Sequence, residues 1–150
     1  MLKEYQKKRN FQKTPEPEGK VIKSGENRFV IQKHKARTLH YDFRLEMGGV
    51  LKSWAVPKNL PHLSGEKHLA IETEDHPIQY FNFEGVIPPG NYGAGVVQIW
   101  EQGNFVLEDY ESRKIIFSLQ GKKLTGRYIL VKIKKQPKGG KNWLVFKSKA

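Results

Sequence analysis

The sequence predicts an all-β fold, a small closed or nearly closed β-barrel with short peripheral helical pieces and a basic N-terminal arm. Three observations lead there. Short apolar or alternating runs follow one another at close spacing between residues 28 and 147, the pattern of many short strands. Gly-rich turns separate them, among them Gly48-Gly49 and the Gly/Pro stretch 85–95. Helical candidates are confined to residues 1–10 and 108–114.

Residues 1–20 form the arm. Residues 2–8 suit one or two helical turns. Thr14-Pro15-Glu16-Pro17-Glu18-Gly19 cannot continue a helix, because each proline lacks a donor and keeps its neighbour extended. Such an arm is either a frayed terminal tail or a flap that folds over bound nucleic acid with Arg9 on a phosphate. Residues 21–150 read as one domain without internal repeats. Ser24-Gly25-Glu26-Asn27 is a turn, and residues 28–34 are a strand.

Residues 39–46 carry the clearest pattern. Leu39, Tyr41, Phe43 and Leu45 alternate with His40, Asp42, Arg44 and Glu46. Period two means a half-buried strand with one apolar face and one polar face, same-face neighbours standing about 7 Å apart. Gly48-Gly49 then closes a two-residue hairpin, since primed turns need positive φ. In that register opposite residues sum to 97. Phe43 faces Trp54 and Tyr41 faces Val56 on the core side, while Asp42 faces Ala55 and Arg44 faces Ser53 on the other. Small cross-strand neighbours leave room for a pocket beside the carboxylate and the guanidinium.

Pro57 to Pro61 ends that strand. Residues 67–73 form another, and Glu74-Asp75-His76-Pro77 reads as a turn braced by Asp75. After an aromatic stretch at 80–83 and the Gly/Pro loop, residues 96–100, 103–110, 114–119, 127–134 and 142–147 follow as strands.

One hundred and fifty residues can bury a core without staples. The absence of Cys excludes a disulfide framework, a thiolate zinc site and a thiol nucleophile, and suits a cytoplasmic protein. No apolar run reaches the length of a membrane span. A formal charge of +12, with basic residues spread along the chain, favours a polyanionic partner, nucleic acid first.

His34, His40 and Asp42 offer two imidazoles and a carboxylate, a nitrogen and oxygen donor set that suits manganese, iron or zinc. The competing reading is a structural histidine beside a surface ion pair of Asp42 with Arg44. Arg44 offers two parallel donors to a phosphate. Lys58 can add a point charge, and His76 can contact a phosphate oxygen or protonate a leaving oxygen. No Ser or Cys has a neighbouring base, which disfavours a covalent route. The loop at 90–95 lacks the Lys-Ser/Thr pair of a phosphate loop and is read as close backbone packing. Tyr80, Phe81, Phe83, Tyr92, Trp100 and Trp143 are either core or base-stacking platforms.

Gln32-Lys33-His34, the run Leu39-His40-Tyr41-Asp42-Phe43-Arg44-Leu45-Glu46 and Leu51-Lys52-Ser53-Trp54-Ala55-Val56-Pro57-Lys58 closely resemble the 3′-phosphoesterase domain of bacterial DNA ligase D and its free-standing relatives. The likeness continues through Glu74-Asp75-His76-Pro77, Tyr92-Gly93-Ala94-Gly95 and Trp100 to Trp143-Leu144-Val145, and takes in the arm. It implies a small β-barrel and a manganese-dependent enzyme, other ions such as zinc or cobalt being alternatives. The enzyme would remove a 3′-terminal ribonucleoside and then the 3′-phosphate at DNA breaks. It implies His34, His40 and Asp42 as metal ligands; Arg44, Lys58 and His76 at the phosphate; Tyr80 nearby; and Arg9 and Glu16 as arm residues, Glu16 chiefly for the ribonucleoside step. Asn10 stands where some members carry Asp, and His68 or Lys67 where some carry Arg. These departures imply a phosphatase activity better preserved than the ribonuclease activity. A chain ending at Ala150 is read as a free-standing form that meets any ligase or polymerase non-covalently. The reading from another class is a non-catalytic single-stranded nucleic-acid-binding barrel.

Overall fold

The computed structural model describes residues 2–19 and 27–149. The turn expected at 24–27 lies outside them, apart from Asn27. The described residues form an all-β structure with one short helix, α1 (Lys3–Lys7). The strands are β1 (Arg28–Lys35), β2 (Leu39–Met47), β3 (Val50–Val56), β4 (Lys67–His76), β5 (Gly85–Ile87), β6 (Gly95–Glu111), β7 (Lys114–Gln120), β8 (Thr125–Lys132) and β9 (Asn142–Lys147). A 3₁₀ turn, Ile78–Asn82, joins β4 to β5. Neighbouring strands pair in the order β1-β2-β3-β4-β9-β8-β7-β6, and β1 also pairs with β6, so eight antiparallel strands close into a barrel. β5 extends the sheet as a ninth strand on β6.

The β2–β3 hairpin has the expected register: Tyr41 opposite Val56, Asp42 opposite Ala55, Phe43 opposite Trp54 and Arg44 opposite Ser53. Gly48 and Gly49 adopt φ of 62° and 82°, the positive values of a primed turn. Gly95 matters at the closure. A Cβ there would stand 2.3 Å from the Lys35 carbonyl oxygen, so only glycine lets β6 approach the end of β1.

Alternation splits the apolar residues into two cores. Phe29, Ile31, Phe43, Leu45, Trp54, Phe117, Tyr128, Leu130 and Val145 fill the barrel. Each buried side chain of this size contributes roughly 1.5–3 kcal/mol. A second cluster lies against the outer wall, where Tyr5 of the arm packs with Val30, Leu51, Tyr80, Phe81, Phe83, Ile87 and Val97. This cluster seats the arm. Tyr5 is fully buried, and its hydroxyl donates to the Pro17 carbonyl.

The structure corrects four local expectations. Residues 74–76 are not a turn but the end of β4, because Leu51 pairs with His76 beyond a register shift between Leu51 and Ser53. Residues 96–100 and 103–110 belong to one strand, which pairs with β1 along its first half and with β7 along its second. Residues 108–114 are not helical; they end β6, turn, and begin β7. The Gly/Pro stretch at 85–95 opens with β5. No helix among the described residues is long and apolar enough to cross a membrane.

Candidate active site

The outer faces of β1, β2, β3 and β4 carry the polar residues that alternate with the barrel core. On β1 these are Gln32 and His34, which pair with Asp42 and His40 of β2. On β3 and β4 they are Ser53, Thr73, Glu74 and His76. The arm and the 3₁₀ turn fold over this wall and leave a pocket of about 310 Å³. Its lining includes Arg9, Glu16, His34, His40, Asp42, Arg44, Glu74, His76, Tyr80 and Tyr92.

His34, His40 and Asp42 each aim a ligand atom at one point, all within 4.8 Å of one another. The hydrogen bonds of the two rings assign their tautomers. His34 Nε2 lies 2.8 Å from the Gly93 carbonyl oxygen, and His40 Nδ1 lies 3.1 Å from the Thr38 carbonyl oxygen. A carbonyl only accepts, so these nitrogens carry the protons. The other nitrogens, His34 Nδ1 and His40 Nε2, face Asp42 Oδ2 and Oδ1, 3.3 and 3.1 Å away. A carboxylate only accepts, so each of these contacts calls for positive charge: a proton on the ring in the metal-free protein, or a bound cation in its place. Backbone carbonyls holding the remote ring N–H are the usual support of metal-binding histidines. The donor set therefore fits a divalent ion. Burial would raise the Asp42 carboxyl, but hydrogen bonds from His34 and His40 and the charge of Arg44 hold it well below the ordinary carboxylate range. Burial pushes His40 down, but its bond to Asp42 outweighs this and raises it.

Arg44 stands beside this group, its Nη2 3.6 Å from Asp42 Oδ2. Its Nε donates to Gln32 Oε1 at 2.7 Å. Gln32 is fully buried and donates in turn to the Tyr80 and Phe83 carbonyls at 2.9 and 3.1 Å. The Arg44 guanidinium lies 4.8 Å from the centre of the Tyr80 ring. The side chain is thus fixed along one edge while its other edge faces the pocket.

The arm supplies the opposite wall. Arg9 Nε donates to Glu16 Oε2 at 2.9 Å, Nη1 donates to Glu74 Oε1 at 3.3 Å, and Nη2 lies 3.4 Å from His76 Nε2. Glu16 also accepts from Tyr80 Oη at 2.8 Å and from Thr14 Oγ1 at 2.9 Å. Lys8 Nζ donates to Glu74 Oε2 at 3.1 Å. His76 Nδ1 donates to its neighbour's carbonyl, Glu74 O, at 2.9 Å, which leaves Nε2 as an acceptor. Burial, then the charges of Arg44 and Arg9, push His76 well below its ordinary value, so it is neutral at neutral pH. Burial and the bond to Glu16 push Tyr80 well above its ordinary value, so it remains a phenol.

The structure brings together His34, His40, Asp42, Arg44, His76, Tyr80, Arg9 and Glu16. It does not bring Lys58. β3 ends at Val56, and the exposed Lys58 lines a neighbouring depression with Tyr41, His62, His68 and Trp100. His68 Nδ1 donates there to the Asn59 carbonyl at 2.6 Å, its Nε2 lies 3.3 Å from Glu66 Oε2, and Lys67 lies over Phe146, so neither His68 nor Lys67 enters the pocket. Asn10 is exposed and caps its own turn, accepting from the Gln12 N–H at 3.1 Å. Of the aromatic candidates, Tyr80, Phe81 and Phe83 belong to the outer core and Trp143 to the barrel core. Tyr92 stays exposed, with Lys8 and Arg9 against its ring.

Three participants went unread in the sequence. Gln32 shares a strand face with His34 two residues on, a signal that was present. Glu74 holds the same relation to His76 once β4 is known to include both. The Gly93 carbonyl has no sequence signal.

A family model described as the DNA ligase D 3′-phosphoesterase domain matches residues 32–132. The multifunctional non-homologous end joining protein LigD of Mycolicibacterium smegmatis is 48% identical over 161 residues, covering 99% of this chain and 20% of its own length. The multifunctional non-homologous end joining DNA repair protein LigD of Mycobacterium tuberculosis is 47% identical over 154 residues, with 99% and 20% covered. The Pseudomonas aeruginosa protein LigD is 44% identical over 156 residues, with 99% and 18% covered. The chain spans about one fifth of the length of these relatives.

Proposed function

The chain belongs to the DNA ligase D 3′-phosphoesterase family, and from that premise we propose that it is a divalent-metal-dependent hydrolase of phosphoesters at nucleic-acid 3′ ends. Its substrates are DNA or mixed DNA/RNA ends at breaks, and its activities are 3′-phosphate removal and 3′-ribonucleoside removal. Manganese is the first candidate ion, with zinc and cobalt as alternatives. The setting is cytoplasmic end joining beside ligase and polymerase activities.

One observation carries the reading: His34 Nδ1 and His40 Nε2 converge on the Asp42 carboxylate, with Arg44 alongside. A divalent ion held by these three side chains would supply Lewis acidity toward a phosphoryl oxygen. Arg44, held along its Nε edge by Gln32, offers its remaining N–H groups to the same phosphate and neutralises charge that grows in the transition state. His76 Nε2 is an acceptor in the free protein. It becomes a donor to a phosphate or leaving oxygen only when the anionic substrate supplies the charge that burial withholds. Arg9 stands where it can turn from Glu74 and His76 to the phosphate. Glu16 has its oxygens committed to Arg9, Tyr80 and Thr14, so its part in the ribonucleoside step is to hold the arm closed over the end. Lys58 reaches the substrate from the adjoining depression. The binding-module alternative has no use for a convergent triad and is the less supported.

The test is a labelled primer-template bearing either a 3′-phosphate or one 3′-terminal ribonucleotide, incubated with manganese, other divalent ions or chelator. Manganese-dependent conversion to a 3′-hydroxyl is expected, faster for the phosphate because of Asn10 and the absent Arg. Salt-sensitive binding without conversion under any ion would replace the enzyme with the binding module.

A further inference from the structure

The formal charge of +12 is unevenly placed. Residues 112–150 contain twelve Lys and Arg and no Asp or Glu, while residues 1–111 are balanced. Much of the excess gathers between β8 and β9, where Lys134, Lys135, Lys138 and Lys141 are exposed. This loop is held in shape. Gln136 Nε2 donates to the Ile133 and Asn142 carbonyls at 2.6 and 3.1 Å, and its Oε1 accepts from the Asn142 N–H at 3.1 Å. Arg113, on the turn between β6 and β7, donates to the Ile133 carbonyl at 3.2 Å, and a cleft of about 220 Å³ opens between them.

Strand register sets the distance from this loop to the pocket. Asp42 pairs with Ala55, Ala55 with Ile71, and Ile71 with Asn142 at the base of the loop. Three strand spacings amount to about 14 Å along the barrel wall. Lys141 is fixed beside that row, its carbonyl accepting from the Glu72 N–H at 2.8 Å. One nucleic-acid strand advances about 3.4 Å per nucleotide, so phosphates about four to six nucleotides from a 3′ end held at Asp42 reach the loop. The carboxylates of β4 along this path are engaged. Glu72 accepts from Trp143 Nε1 at 3.0 Å, Glu74 binds Lys8 and Arg9, and Asp75 lies 3.9 Å from Lys52.

We propose that the β8–β9 loop is a phosphate-backbone clamp that grips the substrate interior to the processed 3′ end, and so sets a minimum substrate length. The end is identified through the function proposed above, but the grip itself is measurable without catalysis. Lysine point charges act on phosphates, so the clamp is blind to sequence.

The test is the triple variant Lys134→Gln, Lys135→Gln, Lys138→Gln, all exposed positions, with a thermal melt to check folding. Binding of a duplex of about 16 base pairs is followed by anisotropy across a salt series. Loss of three contacts lowers the slope of log K against log salt by about 2.7, so a fourfold rise in salt costs the variant about fortyfold less than the parent. In parallel, phosphate release is compared on strands of about 4 and about 16 nucleotides, where a rise in KM confined to the longer strand is expected. Equal salt slopes, or an equal loss at both lengths, would overturn the clamp. A lowered slope with no phosphate release by either protein would uphold the clamp and sink the enzymatic reading.

Discussion

Tyr80 donates its hydroxyl proton to Glu16 Oε2 at 2.8 Å, and this bond ties the arm to the 3₁₀ turn beside the cluster of His34, His40 and Asp42. Tyr80→Phe keeps the ring beneath Arg44 and removes only the tie. It leaves a buried carboxylate one donor short, a cost of about 1–3 kcal/mol. Urea unfolding should read that loss, and ribonucleoside removal should fall further than phosphate removal. An equal fall in both would detach the arm from the ribonucleoside step.

Asp42→Asn tests the metal group. The amide keeps the shape but removes the negative charge on which His34 Nδ1 and His40 Nε2 converge. Titration calorimetry with manganese should show binding to the parent and none to the variant, and both activities should be lost. Manganese at a hundredfold excess over its dissociation constant should stabilise the parent by about 2.7 kcal/mol and leave the variant unmoved. Full activity in Asp42→Asn would sink the assignment of the site.

Arg44→Lys separates charge from geometry. Lysine keeps the cation but loses the fork and leaves Gln32 Oε1 without its 2.7 Å donor. Phosphate release should fall about 100-fold or more, while manganese affinity stays within about threefold. Steady-state kinetics and calorimetry on the same preparation check the pair of outcomes. A large loss of metal affinity would make Arg44 a support of the metal group instead of a phosphate contact.

The legible parts of this protein were those that local rules determine. Gly48-Gly49 admits only a primed turn, so the register of Asp42 against Ala55 and Arg44 against Ser53 followed. His34 and His40 flank a short connection between paired strands, so their approach followed too. What stayed hidden depends on distant partners. Asp75-His76-Pro77 has turn chemistry, and only pairing with Leu51 across a shifted register draws it into β4. The first residues of the chain suit a tail or a folded arm equally well on local rules, and only the cluster around Tyr80 and Val97 buries Tyr5 and docks them. Lys58 has the sequence position of a site residue, but β3 ends before it and turns its side chain to the adjoining depression.

His76 gives the folded protein a pH dependence whose sign can be worked out. Burial and the charges of Arg44 and Arg9 hold it well below its ordinary 6.5. As pH falls through 6.5 the unfolded chain takes a proton that the folded protein refuses. Unfolding then binds protons, so this contribution is fully present above the ordinary value and is lost on acidification toward the folded one. His40 works in the opposite direction in the metal-free protein. Its raised value gives a contribution present below 6.5 that is lost as pH rises through the folded value. The two oppose each other near neutrality, and the parent's own profile does not resolve them. The difference between the parent and His76→Gln does, because His40 is common to both. Unfolding free energies measured without metal should show the parent's advantage growing from about pH 5 to about pH 7.5. A difference that stays flat over that range would mean that His76 titrates alike in the folded and unfolded chain, and one that shrinks as pH rises would mean that the fold holds it protonated, ready to enter the reaction as a donor.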